Sequence, residues 1–418
     1  MTIHLPYGKT TIPMEVNHSR VLESGLHRMP VRQTGLELVR QAMASPIGSP
    51  RLEELAQGKR NAVIIISDHT RPVPSRDIIP LMLSALRQGN PDIDITLLVA
   101  TGCHRGTTVQ ELEQKLGEDI VRQEKILVHD AFDETANVQL GILPSGAPLI
   151  IDRLAAETQL LVAEGFIEPH FFAGFSGGRK SVLPGVCAKE TVLGNHCGAF
   201  IHSGKTRTGV LEENPIHRDM EAGAQMANLQ YIVNVVIDDR KRTAAAFAGD
   251  FRQAHAAGVA FLRQYCQVLP IPGDVIVTTN GGAPLDQNLY QCVKGLTAAE
   301  ASAKPGATIV LCAEMADGLG GDRFYTDMRD CESPQSLYEQ FSATAQADTV
   351  PDQWQTQILC RVLMKHRVIF VTRPEMKKYI EEMKMEYAPD LKAALAMAGP
   401  GELTVIPDGV SVCVCQEV

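Results

Sequence analysis

The run Ala62-Val63-Ile64-Ile65-Ile66-Ser67-Asp68-His69-Thr70-Arg71-Pro72 decides the fold class of this chain. Apolar, largely β-branched residues make a strand-sized stretch, and the polar residues and proline that follow end it abruptly. The pattern recurs. Ile95 to Ala100 leads into Thr101-Gly102-Cys103-His104-Arg105, and Leu160 to Ala163 precedes Glu168-Pro169-His170. Tyr231 to Ile237, Val275 to Thr279, Thr308 to Cys312 and Val368 to Val371 complete the candidate strands. Ile78 to Arg87 and Thr108 to Leu116 read as helices. Apolar strands alternating with helices are what a parallel sheet with crossover connections requires. The chain is expected to be α/β, with two domains of largely parallel sheet and an active site in the cleft between them.

The 418 residues suffice for two or three domains, each with its own core. Pro270-Ile271-Pro272-Gly273 punctuates the chain just before a fresh strand and divides it into residues 1–269 and 270–418. A hydrophobic share of 44 % with 21 % charged residues fits neither a disordered nor a fibrous chain, and a net charge of -10 argues against a general nucleic-acid binder. No apolar stretch approaches the roughly 20 residues of a membrane span, and the first residues lack the plan of a secretion signal. The expectation is a cytoplasmic protein whose ten scattered cysteines, none in a Cys-x-x-Cys pair, stay reduced.

In open parallel sheets ligands bind beyond the C-terminal ends of the strands, so the segments after the first strands should converge on one crevice. A lone histidine is ordinarily a hydrogen-bonded structural residue, and that reading is given to His4, His18, His27, His129, His255 and His366. His217, after the cap-like Asn214-Pro215, is read as structural or supporting. His104 and His170, each followed by glycine or small-residue loops, are read as functional. Gly174-Phe175-Ser176-Gly177-Gly178-Arg179-Lys180-Ser181 is a near miss to a P-loop, because Arg179 replaces a required glycine and Pro184-Gly185 interrupts the helix that must follow. What remains is a glycine-rich nest offering N–H groups to a phosphate, with positive charge from Arg179 and Lys180. Lys180 is also an anchor or nucleophile candidate. His196 and His202 offer imidazoles to a metal without a zinc signature around them. Farther on, Asn280-Gly281-Gly282 leads to a helix beginning near Asp286, and the absence of Gly-x-Gly-x-x-Gly disfavours NAD. On that helix Tyr290 and Lys294 share a face with Gln291 beside them, a set able to meet a carboxylate. The single tryptophan, Trp354, is core or pocket wall.

Taken together, Asp68 to Pro72, Gly102 to Arg105, the block from Glu168 to Lys180, Asn195-His196 and Tyr290 to Gly295 resemble the lactate racemase family, whose members use a nickel-pincer nucleotide. The resemblance runs from about Ser67 to Trp354. It implies a tethered pyridinium-3,5-bisthiocarboxylic acid mononucleotide nickel cofactor, with Lys180 as the tether and His196 as the nickel ligand. It also implies His104 and His170 as the acid/base pair and Arg71 and Lys294 as the clamp on the substrate carboxylate. Tyr290, Gln291 and Trp354 would line the pocket, and Asp68 with Ser176, Gly177 and Gly178 would seat the cofactor. On this scheme the first domain carries cofactor and catalysis, and the second contributes substrate contacts. The implied partners are a small anionic 2-hydroxy acid and the proteins that make the cofactor, with neither nucleic acid nor membrane.

The chemistry is coherent apart from the resemblance. The α-hydrogen of a 2-hydroxy acid is too weakly acidic for an unaided imidazole, since its loss as a proton puts a second negative charge beside the carboxylate. Departure as hydride avoids that dianion, and two bases on opposite sides serve both enantiomers. Lactate is the default substrate, because the motifs describe the α-carbon and leave the rest of the acid open. One alternative is a zinc-dependent hydrolase using His104, His170 and His196, for which no carboxylate is evidently poised as base. Another is a non-catalytic cofactor-binding protein, which would tolerate loss of His104 and His170.

Overall fold

Every run read as a strand forms one. In the computed structural model, which describes residues 1–17, 20–30 and 33–415, β1 (Asn61–Ser67), β2 (Asp94–Ala100), β3 (Lys125–Val128), β4 (Leu161–Phe166), β5 (Leu229–Ile237) and β6 (Thr243–Gly249) build a six-stranded sheet. Its order is β6-β5-β4-β1-β2-β3, parallel throughout except for the β5–β6 pair. A second, five-stranded sheet is wholly parallel. It is made of β7 (Gly273–Thr279), β8 (Ala303–Cys312), β9 (Arg367–Val371), β10 (Glu386–Ala388) and β11 (Leu403–Ile406), in the order β10-β9-β8-β7-β11. His18, read above as structural, lies outside the described residues.

Period-two alternation along β1 sends Val63 and Ile65 to one core, with Leu183 and Met220, and Ile64 and Ile66 to another, with Ile78, Met82 and Leu86. Both faces are apolar, as a doubly covered parallel sheet demands. Each fully buried Ile or Leu there contributes about 1.5–3 kcal/mol. The helices that matter for the site are α1 (Ser75–Gly89), α2 (Val109–Leu116), α3 (Lys189–Asn195), α4 (Pro215–Met226), α5 (Gln253–Cys266), α6 (Leu289–Ser302) and α7 (Gln353–Leu363).

Two boundaries differ from expectation for visible reasons. β4 continues beyond Ala163 through Glu164 and Gly165, because Oε1 of Glu164 finds donors inside the fold, accepting from Ser67 N–H at 3.2 Å and the Ser75 hydroxyl at 2.7 Å. The helix expected near Asp286 begins at Leu289. Asn288 caps it, accepting the Gln291 N–H at 3.0 Å, while buried Asp286 ties loops together by accepting from the N–H of Gly8 at 2.7 Å and of Glu314 at 3.1 Å.

The first residues of the chain belong with the second sheet. A hairpin, Thr2–Tyr7 against Thr10–Glu15, buries Leu5 and Met14 against Val275, Val277 and Val310. Late in the chain, Cys413–Val414 pairs in parallel with Gln267–Val268. Among the described residues no helix is long and apolar enough to cross a membrane, and all ten cysteines are unbridged.

Candidate active site

Because β4, β1 and β2 are neighbours, their C-terminal ends open onto one crevice, and the quoted motifs fall there. Asp68, just after β1, is 2 % exposed. Its Oδ1 accepts from the N–H and hydroxyl of Thr70 at 3.1 and 2.6 Å, and its Oδ2 lies 2.8 Å from Nδ1 of His104. An ionised carboxylate only accepts, so His104 donates from Nδ1, which leaves Nε2 for other partners. Burial alone would push the Asp68 carboxyl up; the bond and charge of His104, then Arg71 and Thr70, outweigh it and hold the group well below the usual carboxylate range. Asp68 is thus a fixed anion behind an imidazole whose side chain is 44 % exposed. The turn itself is braced by Lys115 of α2, which donates to the Arg71 carbonyl at 3.2 Å.

His170 stands in a short ladder, Pro169–His170 against Gly174–Phe175, closed by Phe171-Phe172-Ala173. The turn needs Gly174 at φ +78°, where a Cβ would meet the Val210 carbonyl at 2.4 Å. Nδ1 of His170 accepts the Ala173 N–H at 3.3 Å, and Nε2 lies 3.3 Å from Nζ of Lys180. Burial, followed by the charges of Lys180, Lys294 and Arg71, depresses His170 well below an ordinary imidazole. Lys180 is likewise depressed, by burial and then by Arg179, Arg71 and Lys294. The Phe172 ring meets His170 edge-on at 4.5 Å between centroids and His196 at 5.1 Å, and His196 in turn meets Trp354 of α7 at 5.0 Å. His196, at the C-terminal end of α3, donates Nδ1–H to the Val192 carbonyl at 2.9 Å and keeps its Nε2 lone pair. Burial, aided by the Lys180 charge, lowers its pKa to about 3, so it stays neutral.

From the second sheet's side, α6 presents Tyr290 and Lys294 one turn apart. Lys294 shares a narrow cleft with Glu168, His170, Thr297 and Val410. Burial, then Arg71, lowers Lys294 to about 8, while burial raises Glu168 against the opposing pull of Arg71 and Lys294. Among the described residues, the side chains of Arg71, Lys294 and Glu168 make neither hydrogen bond nor ion pair with the protein. Tyr290, its hydroxyl raised by burial, interacts with Asp352 and Trp354, and Gln291 sits partly buried beside it. Glu168 is the residue that sequence reading quoted but gave no role; its adjacency to His170 was the available signal.

Ser176, Gly177 and Gly178 are arranged differently from expectation. Ser176 donates its N–H to the Glu168 carbonyl at 2.9 Å, and Gly178 donates its N–H to Asn234 Oδ1 at 2.7 Å. Those two donors point into the fold, so the phosphate nest is corrected: the turn is a buried support two residues before Lys180. Arg179 is corrected too. It is 1 % exposed and donates to His217 Nδ1 at 2.9 Å, the Gly177 carbonyl at 3.2 Å and the Ala173 carbonyl at 2.8 Å, which makes it a strut rather than an anion ligand. His217 is the supporting residue it was read as. His202 turns away to the Tyr338 hydroxyl at 2.9 Å. His129 and His255 are buried and hydrogen-bonded, to Asp152 at 3.1 Å and to the Ser176 carbonyl at 2.8 Å.

Among the described residues no three His, Cys, Asp or Glu side chains gather around a common point, so His104, His170 and His196 do not form the three-ligand zinc centre of the hydrolase alternative. Two groups do suit a tethered, nickel-bearing nucleotide. The Lys180 amine is buried over the Phe172 ring, 5.6 Å from its centroid, and among the described residues the Nε2 of His196 has no hydrogen-bond partner.

Fold and site define a class: a two-sheet α/β enzyme whose polar cleft is lined from both sheets. Residues 7–209 match the lactate racemase N-terminal domain and residues 268–414 the lactate racemase C-terminal domain. The lactate racemase of Thermoanaerobacterium thermosaccharolyticum is 47 % identical over 99 % of both chains. That of Lactiplantibacillus plantarum is 48 % identical over 99 % of this chain and 100 % of its own. The solved lactate racemase apoprotein from T. thermosaccharolyticum superposes with a TM-score of 0.96 at 47 % identity, covering 99 % of this chain and 100 % of that one. A crystal structure of a Thermotoga maritima protein shares the fold alone, with a TM-score of 0.67 at 17 % identity over 88 % of this chain and 99 % of that one. The chain belongs to the lactate racemase family and is an isomerase.

Proposed function

We propose that this isomerase racemises a small 2-hydroxy acid, with lactate the default substrate, and that Lys180 and His196 hold a nickel-pincer nucleotide. The observations that support the reading are His104 backed by Asp68 at 2.8 Å, and His170 beside Lys180 at 3.3 Å in a cleft shared with Lys294. Bound there, the group supplies a centre that takes up and returns hydride at the α-carbon.

Everything else falls to the chain. Arg71 and Lys294 bind the substrate carboxylate, which fills the hydrogen-bonding capacity they leave unused. His104 Nε2 takes the hydroxyl proton of one enantiomer, and Asp68 stabilises the imidazolium that forms. His170 performs the same exchange for the other enantiomer. The planar 2-keto acid between the two half-reactions stays clamped while its carbonyl face turns. Tyr290, Gln291 and Trp354 line the pocket and exclude water. Asp68 and the Ser176-Gly177-Gly178 turn seat the nucleotide indirectly, by fixing the residues on which it rests. We further propose a division of the chain between residues 269 and 270, a cytoplasmic setting in which the ten thiols stay reduced, and cofactor-making proteins as partners.

The test is intact-mass and metal analysis of protein produced with the cofactor pathway, followed by chiral chromatography of L- and D-lactate. An adduct on Lys180 with nickel and racemisation in both directions is expected; zinc without an adduct overturns the reading.

A further inference from the structure

The contact between His170 and Lys180 carries information about proton positions. His170 Nδ1 accepts a backbone N–H, that of Ala173 at 3.3 Å, and therefore bears no proton. A neutral imidazole with a bare Nδ1 has its single proton on Nε2, and that nitrogen faces Nζ of Lys180 at 3.3 Å. An ammonium has no lone pair to accept this proton. Lys180 is therefore a free amine before loading, held as the acceptor of Nε2–H. The surroundings agree: Arg179, Arg71 and Lys294 oppose a further positive charge there, while Glu168 pulls the other way.

We infer that acylation of Lys180 is the event that releases His170 for acid/base work. This rests on the proposed tethering of a carboxyl or thiocarboxyl group to Lys180. In that step Nζ bonds to the acyl carbon, the carbon–hydroxyl bond breaks, and the hydroxide leaves with an amine proton as water. The nitrogen lone pair is then delocalised into the new amide or thioamide and no longer accepts a hydrogen bond. His170 Nε2–H loses its acceptor, so that proton is free to exchange through solvent onto Nδ1 at the expense of the 3.3 Å Ala173 contact, which bares Nε2 toward the substrate hydroxyl for the base role proposed above. One side chain thus keeps the amine nucleophilic before loading and becomes available to the substrate only afterwards, so an empty chain does not present a free second imidazole.

The test uses the full chain produced without the cofactor pathway, with acetic anhydride as the acylating probe. Peptide mass spectrometry at pH 7 is expected to show Lys180 acetylated at least about 10-fold faster than the average surface lysine, whose ammonium form dominates there. Histidine ¹⁵N NMR is expected to find His170 protonated at Nε2 in the empty chain and its signal shifted after acetylation or in Lys180→Met, which removes the acceptor at similar length. A Lys180 that reacts only as pH approaches 10, a His170 protonated at Nδ1, or a His170 signal indifferent to both changes overturns the inference. The NMR readout decides the matter even if the reagent fails to enter the cleft. None of these measurements involves nickel or nucleotide, so the cofactor reading fails separately, on the mass and metal content of loaded protein.

Discussion

At the scale of single residues, Asp68 and Lys294 are the most informative. Asp68 touches His104 at 2.8 Å and fixes which nitrogen faces the cleft. Asp68→Asn keeps the volume but allows the amide to donate to Nδ1, favouring the wrong tautomer; about a 10³-fold fall in racemisation rate is expected, with the fold unchanged by circular dichroism. His104→Ala and His170→Ala are each expected to lose at least about 10²-fold in the rate of lactate inversion, read by chiral chromatography. Lys294, at a pKa of about 8 in the fold, binds a carboxylate only while protonated. Initial rates should therefore show KM rising as pH passes upward through about 8. The same residue strains the fold. Its folded pKa lies below the unfolded value, so the charged form penalises folding by ~3 kcal/mol below pH 8, a penalty that disappears above the unfolded pKa. Lys294→Met is expected to abolish substrate binding yet raise Tm at pH 7, with a gain that shrinks toward pH 10.

Elements explain why these residues meet. Three adjacent strands deliver three loops to one edge, and the loop after β4 folds back on itself so that Lys180 returns to His170. That return depends on Gly177 at φ +76°, where a Cβ would lie 2.6 Å from Asn234 Oδ1 and 2.8 Å from the Phe166 carbonyl. Gly177→Ala combines left-handed backbone strain with a clash against main chain, and a loss of about 2 kcal/mol or more is expected in denaturant unfolding. The element-level reading from sequence was sound for the long apolar runs, but it missed the short edge strand Lys125–Val128 and stopped early where a polar residue sat inside a run. Glu164 concealed the end of β4, and the alanine-rich stretch of β6 lacks the β-branched residues that announce a strand.

At the scale of the molecule the two sheets are interlocked. Ile3, Leu5, Met14 and Val16 near the start of the chain cover β7, β8 and β11, and Gly8 is held by Asp286. Removing residues 1–16 is expected to cost at least about 5 kcal/mol, since Val275, Val277, Val310 and Val405 of the second sheet lose their cover and face water. Scanning calorimetry of the shortened chain should show a lower Tm and lower enthalpy. On the other side of the cleft, α7 seals His196 with Trp354, while Gln357 of the same helix donates to the Gly198 carbonyl at 2.9 Å. The cleft is thus built from parts of the chain more than 150 residues apart, as the 159-residue separation of that bond shows.

Local order alone determined the α/β class, the seven main strands and the placing of His104, Asp68, Arg71 and His170 in loops after strands, because strand runs and turn residues are written within a few positions of each other. Sequence also marked Lys180 and His196 as reactive groups. Only tertiary structure decided their states: that Asp68 serves His104, that Arg179 and the Gly178 N–H are consumed inside the fold, and that Lys180 faces His170. Burial, partner choice and the local electric field depend on what distant segments bring alongside, and no short window of sequence contains those neighbours.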